Sequence, residues 1–365
     1  MKTRAAIAIA PESDLVIREV ELDELRPDEV RVKIAATGVC HTDAFVRDQG
    51  YPVPQPVVLG HEGAGVIDAV GSAVDGLSIG DKVVLGPAFC GHCQPCLKGH
   101  PMYCVNFYAR NMGVERLDGS KAFSDDSGPI GSHFFGQSSF AEYTNVPAHG
   151  VIKVADDAPL DIIGPLGCGV MTGAGAVLNV LDPEPGSSVV VFGTGAVGLS
   201  GMLAAKAVGA TTLIMADVVP ERLEFAKELG ATHTINSKET DPVEAIQEIT
   251  GGGAHYALDT TGIPAVFTQM TNSLATMGHG ALVGAASPGT MASIDIGARL
   301  LAGINVSLVI EGDAVPKDLI PRLISLHSQG LFAFDKLIKK YPFDEINQAF
   351  ADSANGSTLK PVLIY

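Results

Sequence analysis

An almost wholly apolar run that enters a glycine-rich turn limits the fold of this chain more than any other feature. Ser188-Val189-Val190-Val191-Phe192 reads as a central parallel strand, buried on both faces. Gly193-Thr194-Gly195-Ala196-Val197-Gly198 follows at once, and a helical pattern continues to Gly209. A GxGxxG alone is a weak motif. Joining a strand to a helix, it has the context of a dinucleotide-binding turn: Gly193 for the tight turn, Gly195 for close approach to a pyrophosphate, Gly198 for helix packing. The helix N-terminus then favours the phosphates. Residues 212–216 form the next strand, with Asp217 at its end. A carboxylate there can accept from a ribose diol and would repel a 2′-phosphate, which selects NAD over NADP. The competing reading makes Asp217 a cap for the helix opening at Pro220. Strand-like segments at 256–259 and 281–283, with helices near 242–249 and 264–277, extend the alternation expected of a parallel sheet wound on both faces.

With 365 residues there is room for two cores, and the 46% hydrophobic content with 42 glycines points to a Gly-punctuated α/β enzyme. The net charge of -17 argues against nucleic acid or an anionic membrane as partner. The apolar run at 5–10 is too short for a signal-peptide core and reads as a first strand. Two uncharged stretches, 162–181 and 187–205, are long enough to raise a membrane question, but glycines interrupt both. Without an export signal the six cysteines are expected reduced and the protein cytoplasmic, which favours metal or catalytic roles.

The cysteines fall into two sets. Cys90-Gly91-His92-Cys93-Gln94-Pro95-Cys96 with Cys104 has the spacing of a closed four-thiolate zinc shell, structural because no position is left open. A redox pair or an iron–sulfur cluster is the alternative. Cys40 and Cys168 stand apart. Between them lies Gly60-His61-Glu62-Gly63-Ala64-Gly65, a histidine beside a carboxylate among glycines. Alone it reads as a buried hydrogen-bonded pair. Cys40, His61 and Cys168 together are sufficient ligands for a catalytic zinc, which takes three protein ligands and keeps one position open. Cys40-His41-Thr42-Asp43 puts a thiol, an imidazole, a hydroxyl and a carboxylate in succession; a capped helix start is the plainer reading. Residues 112–140 form a long stretch with little periodicity, and 308–365 hold a helix near 318–326 and strand pieces ending in Pro361-Val362-Leu363-Ile364-Tyr365.

Taken together these motifs resemble the zinc-dependent alcohol dehydrogenases of the medium-chain dehydrogenase/reductase family over essentially the whole chain. Gly356-Ser357-Thr358-Leu359-Lys360 adds to the match. Val46-Arg47-Asp48-Gln49 and Glu311-Gly312-Asp313 look most like the benzyl- and aryl-alcohol branch. The resemblance implies a doubly wound Rossmann domain, placed at 170–308. It is inserted into a mostly β, GroES-like catalytic domain formed by 1–169, with the zinc lobe at 90–104, and by 309–365. It implies hydride transfer between a primary alcohol and NAD, with two zinc ions per chain and zinc acting as a Lewis acid. In that scheme Cys40, His61 and Cys168 hold the catalytic zinc, and Thr42 takes the alcohol proton. Asp43 fixes the His61 tautomer, and Glu62 reaches the metal in an alternative coordination. His41 and Lys360 face the cofactor phosphates, with Val197 and Arg222 in the NAD site, while Phe134 and Tyr51 wall the substrate pocket.

Two departures stand out. Phe45 occupies the place of a relay histidine and cannot carry a proton, so the exit route uses water or another group. Lys360 replaces an arginine, a point charge in place of a fork. The rival substrate is a glutathione–formaldehyde adduct, which needs a cationic anchor; past Cys104 there is Tyr108 and only Arg110. An aliphatic alcohol on the same fold, or a non-catalytic NAD-binding protein, completes the alternatives. The family implies dimers or tetramers, and the long 112–140 segment favours a homodimer.

Overall fold

A computed structural model describes all residues 1–365. The chain divides into two compact units. One comprises Met1–Cys168, Val315–Ile324 and Asp335–Tyr365; the other comprises Gly169–Ala314 and Ser325–Phe334. The sequence-based junctions at 169/170 and 308/309 lie one residue and six residues away from those in the structure.

The first unit is built on two largely antiparallel sheets. The smaller has the order Val57–Val58, Lys2–Ala8, Val16–Leu22, Phe123–Asp125, Gly128–Ile130. In the larger, Glu29–Gly38 is central, paired with Gly63–Val70, Tyr143–Pro147 and the C-terminal strand Lys360–Ile364. Polar and apolar residues alternate over 29–34, and Val30, Val32 and Ile34 point into a core with Ile67, Val83, Leu85 and Val146. This sheet places Gly38 and Val39 at the end of one strand and His61-Glu62 just before another, so Cys40 and His61 start from neighbouring backbone.

Most of 112–140 is buried. Its middle is a hairpin of the smaller sheet, and Phe134, Phe135 and Phe140 enter the core with Val57, Val58, Ile7 and Phe123. Non-periodic sequence hides this because His133, Phe135 and Ser138 take positive φ, which breaks any repeat of 2.0 or 3.6.

The second unit is a six-stranded parallel sheet in the order His233–Asn236, Thr212–Asp217, Ser188–Phe192, Ala254–Asp259, Leu274–Leu282, Asn305–Leu308. That is the strand order 3-2-1-4-5-6 of the doubly wound dinucleotide-binding fold. Helices Ala196–Ala207, Pro220–Leu229, Pro242–Thr250 and Pro264–Ser273 make the crossovers. The helix expected over 264–277 stops at Ser273, and Leu274–Leu282 is a strand. Pairing with Ala254–Asp259 outweighs the helical pattern there, as context commonly does for strands. No single helix is long and apolar enough to cross a membrane.

Candidate catalytic metal site

Everything that could hold the catalytic metal lies in the first unit. Cys40 is the N-cap of the short helix His41–Arg47, and Asp43 in its first turn reaches back to organise three groups. One Asp43 oxygen accepts from the Cys40 N–H at 3.0 Å; the other accepts from the Gly60 N–H at 3.0 Å and lies 2.9 Å from His61 Nδ1. The buried carboxylate therefore sets both the thiol-bearing turn and the imidazole. With Nδ1–H donated to Asp43, the free lone pair of His61 is on Nε2. That atom is buried and has no partner.

The donor atoms of Cys40, His61, Glu62 and Cys168 lie within 4.8 Å of one another, with the last three residues buried. Two soft thiols, an imidazole and a carboxylate are a zinc donor set. An orphaned buried imidazole nitrogen beside them is otherwise unfavourable. The residues present fit a zinc ion. The Cys40 thiol is held well below its ordinary range by hydrogen bonding with Cys168, with Lys360 and His61 adding to this against burial. Burial disfavours the charged His61 ring, but the charge and hydrogen bond of Asp43 raise it well above the usual histidine range. A metal at Nε2 would take the place of that proton.

Several supporting groups escaped sequence reasoning. Gln137 spans the His61–Glu62 segment, accepting from the Gly63 N–H at 3.0 Å and donating to the His61 carbonyl at 2.8 Å. Phe135 stacks on the His61 ring with centroids 4.5 Å apart. Phe134, expected to wall the substrate pocket, is fully buried and packs edge-on against His61 at 5.4 Å. Its edge-on contact supports the His61 ring. Tyr51 is half-buried, edge-on to Phe45 at 4.9 Å.

Lys360 is a second correction. Its side chain, expected at the cofactor phosphates, is 3% exposed, and Nζ donates to both Glu62 oxygens, at 2.8 and 3.0 Å, and to the Val39 carbonyl at 3.4 Å. Those three acceptors use every proton of an ammonium. Burial works against the charge, yet Glu62 and Cys40 keep the lysine above its usual range. Gly38 makes room for this pair, because a Cβ there would collide with the Glu62 carboxylate. Thr42 Oγ1 lies 3.7 Å from the Cys40 sulfur, and His41 is exposed.

The four lobe cysteines also gather their sulfurs within 4.8 Å. Cys93–Cys96, Cys93–Cys104 and Cys90–Cys96 are 3.4, 3.9 and 4.0 Å apart. A tetrahedron of thiolates about 2.3 Å from zinc has edges of about 3.8 Å. Thiols this close cannot all ionise without a cation among them. Backbone N–H groups, first that of His92, bring Cys90 down to about 6, while burial and then Cys93 push Cys96 up to about 12.

In the second unit, Gly193 has φ 97°, which opens the turn, and a Cβ on Gly198 would strike the Gly193 carbonyl. Gly195 alone faces open space, the cradle a pyrophosphate requires. Asp217 accepts from Thr194 N and Oγ1, both at 2.6 Å, and from the N–H groups of Val218 and Val219. It ties its turn to the glycine loop and does not cap the following helix, whose N-cap is Val219. Val197 and Arg222 are half-buried on their helices.

Fold and site define a zinc-binding oxidoreductase, and comparison with known proteins agrees. Residues 26–156 match the alcohol dehydrogenase GroES-like domain and residues 196–328 the zinc-binding dehydrogenase domain. The chain is 41% identical to the geraniol dehydrogenase of Castellaniella defragrans, over 100% of its own length and 98% of that protein. The crystal structure of a zinc-binding-domain alcohol dehydrogenase protein from Burkholderia ambifaria superposes with TM-score 0.98 at 52% identity, covering 100% of this chain and 99% of that one. The benzyl alcohol dehydrogenase of Acinetobacter calcoaceticus superposes at 0.97 with 48% identity and the same coverage. The chain belongs to the zinc-dependent alcohol dehydrogenases of the medium-chain dehydrogenase/reductase family.

Proposed function

We propose that this enzyme oxidises primary alcohols of the allylic or aromatic type with NAD, reversibly, giving the aldehyde. The observation that carries the reading is the Cys40–His61–Cys168 cluster with its orphaned Nε2 and the Asp43-held ring. The substrate class is supported by relatives whose names state geraniol and benzyl alcohol. Bound there, zinc supplies Lewis acidity that lowers an alcohol's pKa and stabilises oxyanion character.

The chain's own residues do the rest. Cys40, His61 and Cys168 hold the ion, and Asp43 keeps Nδ1 protonated. Thr42 receives the alcohol proton at its hydroxyl. Phe45 cannot pass that proton on, so water at the helix His41–Arg47 carries it away. Lys360 holds Glu62 and balances its charge. The loop 193–198 receives the pyrophosphate, with Arg222 at the cofactor, and Asp217 shares its lone pairs with the ribose diol. Six free thiols suit a reducing compartment such as the cytoplasm.

A homodimer is supported by the second unit's outer strand Asn305–Leu308. In the segment that leads into it, Met291 and, on the helix Ile296–Ala302, Ile296, Leu300 and Leu301 are each more than 70% exposed. Such apolar patches mark protein interfaces, and a homotetramer is the alternative in sedimentation.

NAD reduction across ethanol, hexanol, benzyl, cinnamyl and geranyl alcohols tests the substrate. A preference of about tenfold or more in kcat/KM for the aromatic or allylic members is expected, roughly 1.4 kcal/mol. Best turnover of ethanol, or turnover only of a glutathione–formaldehyde adduct, would overturn the substrate class and leave the metal site standing.

A further inference from the structure

One acid of the second unit is fully buried and belongs to none of the motifs that define the metal and dinucleotide sites. Asp259 ends the strand Ala254–Asp259 and is 0% exposed. Its Oδ1 accepts from the N–H and the hydroxyl of Thr261, both at 2.8 Å. Its Oδ2 has no hydrogen-bond partner, so the bonding of this side chain goes to the turn that follows its own strand. Burial pushes the carboxyl up, and the Thr261 donors oppose the rise. Acids perturbed in this way gather at functional sites.

The turn 260–262 is packed between two neighbouring strand ends. On one side the Thr260 N–H and hydroxyl both donate to the Phe192 carbonyl, at 3.0 and 2.8 Å. A Cβ on Gly193, the first glycine of the dinucleotide turn, would lie 2.5 Å from Thr260 Oγ1. On the other side the N–H groups of Val283 and Gly284 donate to the Asp259 carbonyl at 2.9 and 3.3 Å. A Cβ on Gly284 would lie 2.0 Å from the Gly262 nitrogen. Gly262 itself has φ 67°, and a Cβ there would strike the Ala285 carbonyl. The carboxyl ends of Ser188–Phe192, Ala254–Asp259 and Leu274–Leu282 therefore meet at this turn. In a sheet ordered 3-2-1-4-5-6 the strand order reverses between the first and fourth strands, and a dinucleotide crosses the carboxyl ends there. Those two strands are Ser188–Phe192 and Ala254–Asp259, so the turn stands at the crossing.

On the reading that NAD lies across this sheet, we propose that Asp259 is a positioning residue for the cofactor: through Thr261 it fixes the turn 260–262 against Gly193 and so shapes the crevice for the half of NAD beyond the pyrophosphate. Asp259 touches no cofactor atom. Without its two contacts the turn gains freedom beside a glycine that offers no side chain to stop it. Ordering that turn again on binding costs affinity. Asp217 lies on the opposite side of Ser188–Phe192, at the end of the neighbouring strand Thr212–Asp217. A ligand that fills only the adenosine half on that side does not need the turn.

Titration of the zinc-loaded, full-length enzyme with NADH, followed by its fluorescence, and with AMP, followed by calorimetry, tests this. Asp259→Ala is expected to weaken NADH by about tenfold or more, the scale of two lost hydrogen bonds, and to leave AMP within about twofold of wild type. Asp259→Asn keeps an oxygen that accepts both Thr261 donors and is expected to hold NADH within about threefold of wild type. Should Asp259→Ala fail to fold, Thr261→Val removes only the hydroxyl donor and is expected to weaken NADH by about fivefold with AMP unaffected. Unchanged NADH affinity in the variant that folds overturns the proposal. Equal weakening of NADH and AMP does so too, because it reports a loosened unit and not a positioned turn. An Asp259→Asn variant as weak as Asp259→Ala overturns it by assigning the effect to charge. A wild-type enzyme that binds no NADH is a different failure, which removes the cofactor reading and the role of Asp259 with it.

Discussion

The zinc lobe and the buried Cys40–His61–Cys168 cluster bring their donor atoms equally close, within 4.8 Å, yet they are built by different means. The lobe draws four thiols from one continuous loop between Cys90 and Cys104, and only Cys104 is buried. Little apolar packing holds it, so its shape depends on the ion. The other cluster draws its groups from three separate segments. Asp43, Gln137 and Phe135 position His61 before any metal arrives, and Lys360 does the same for Glu62. Metal at the lobe is therefore expected to contribute chiefly to folding, and metal at the buried cluster to chemistry.

The comparison breaks most visibly at Cys168. Cys168→Ser is expected to abolish turnover while the protein stays folded, with elemental zinc falling from two ions per chain to one. Surviving activity would show that Cys168 is no ligand. Next in size is Cys93→Ser, which loses the lobe ion and keeps kcat within a few-fold. Its melting temperature should fall by about 5–10 °C, since about 1 kcal/mol moves Tm by about 2–4 °C at this domain size. If this variant lost turnover with an unchanged melt, the roles of the two clusters would be reversed. The smallest effect sharpens the account of preorganisation. Asp43→Asn leaves the lobe untouched and is expected to lower catalytic zinc affinity or kcat by about 10–100-fold, as losing the partner of a metal-bound imidazole does. Wild-type zinc affinity and rate in that variant would reduce Asp43 to a helix cap.

How far the molecule could be read in advance follows the same division. The parallel sheet was legible because its evidence is local: an apolar strand, a GxGxxG and a helix occur in immediate succession. The lobe was legible for the same reason. Strand Leu274–Leu282 was not, because its partner Ala254–Asp259 decides it. Nor were the packing of Phe134 against His61 and the clamp made by Gln137. Both depend on a segment whose positive-φ residues remove any periodic trace.

By itself, the sequence determined the class of fold, the four-cysteine lobe and the glycine turn for a dinucleotide, since each rests on residue type and short spacing. Only the tertiary structure decided what Lys360 does. The family resemblance implied a phosphate contact; the strand Lys360–Ile364 pairs with Glu29–Gly38 and delivers the ammonium to Glu62.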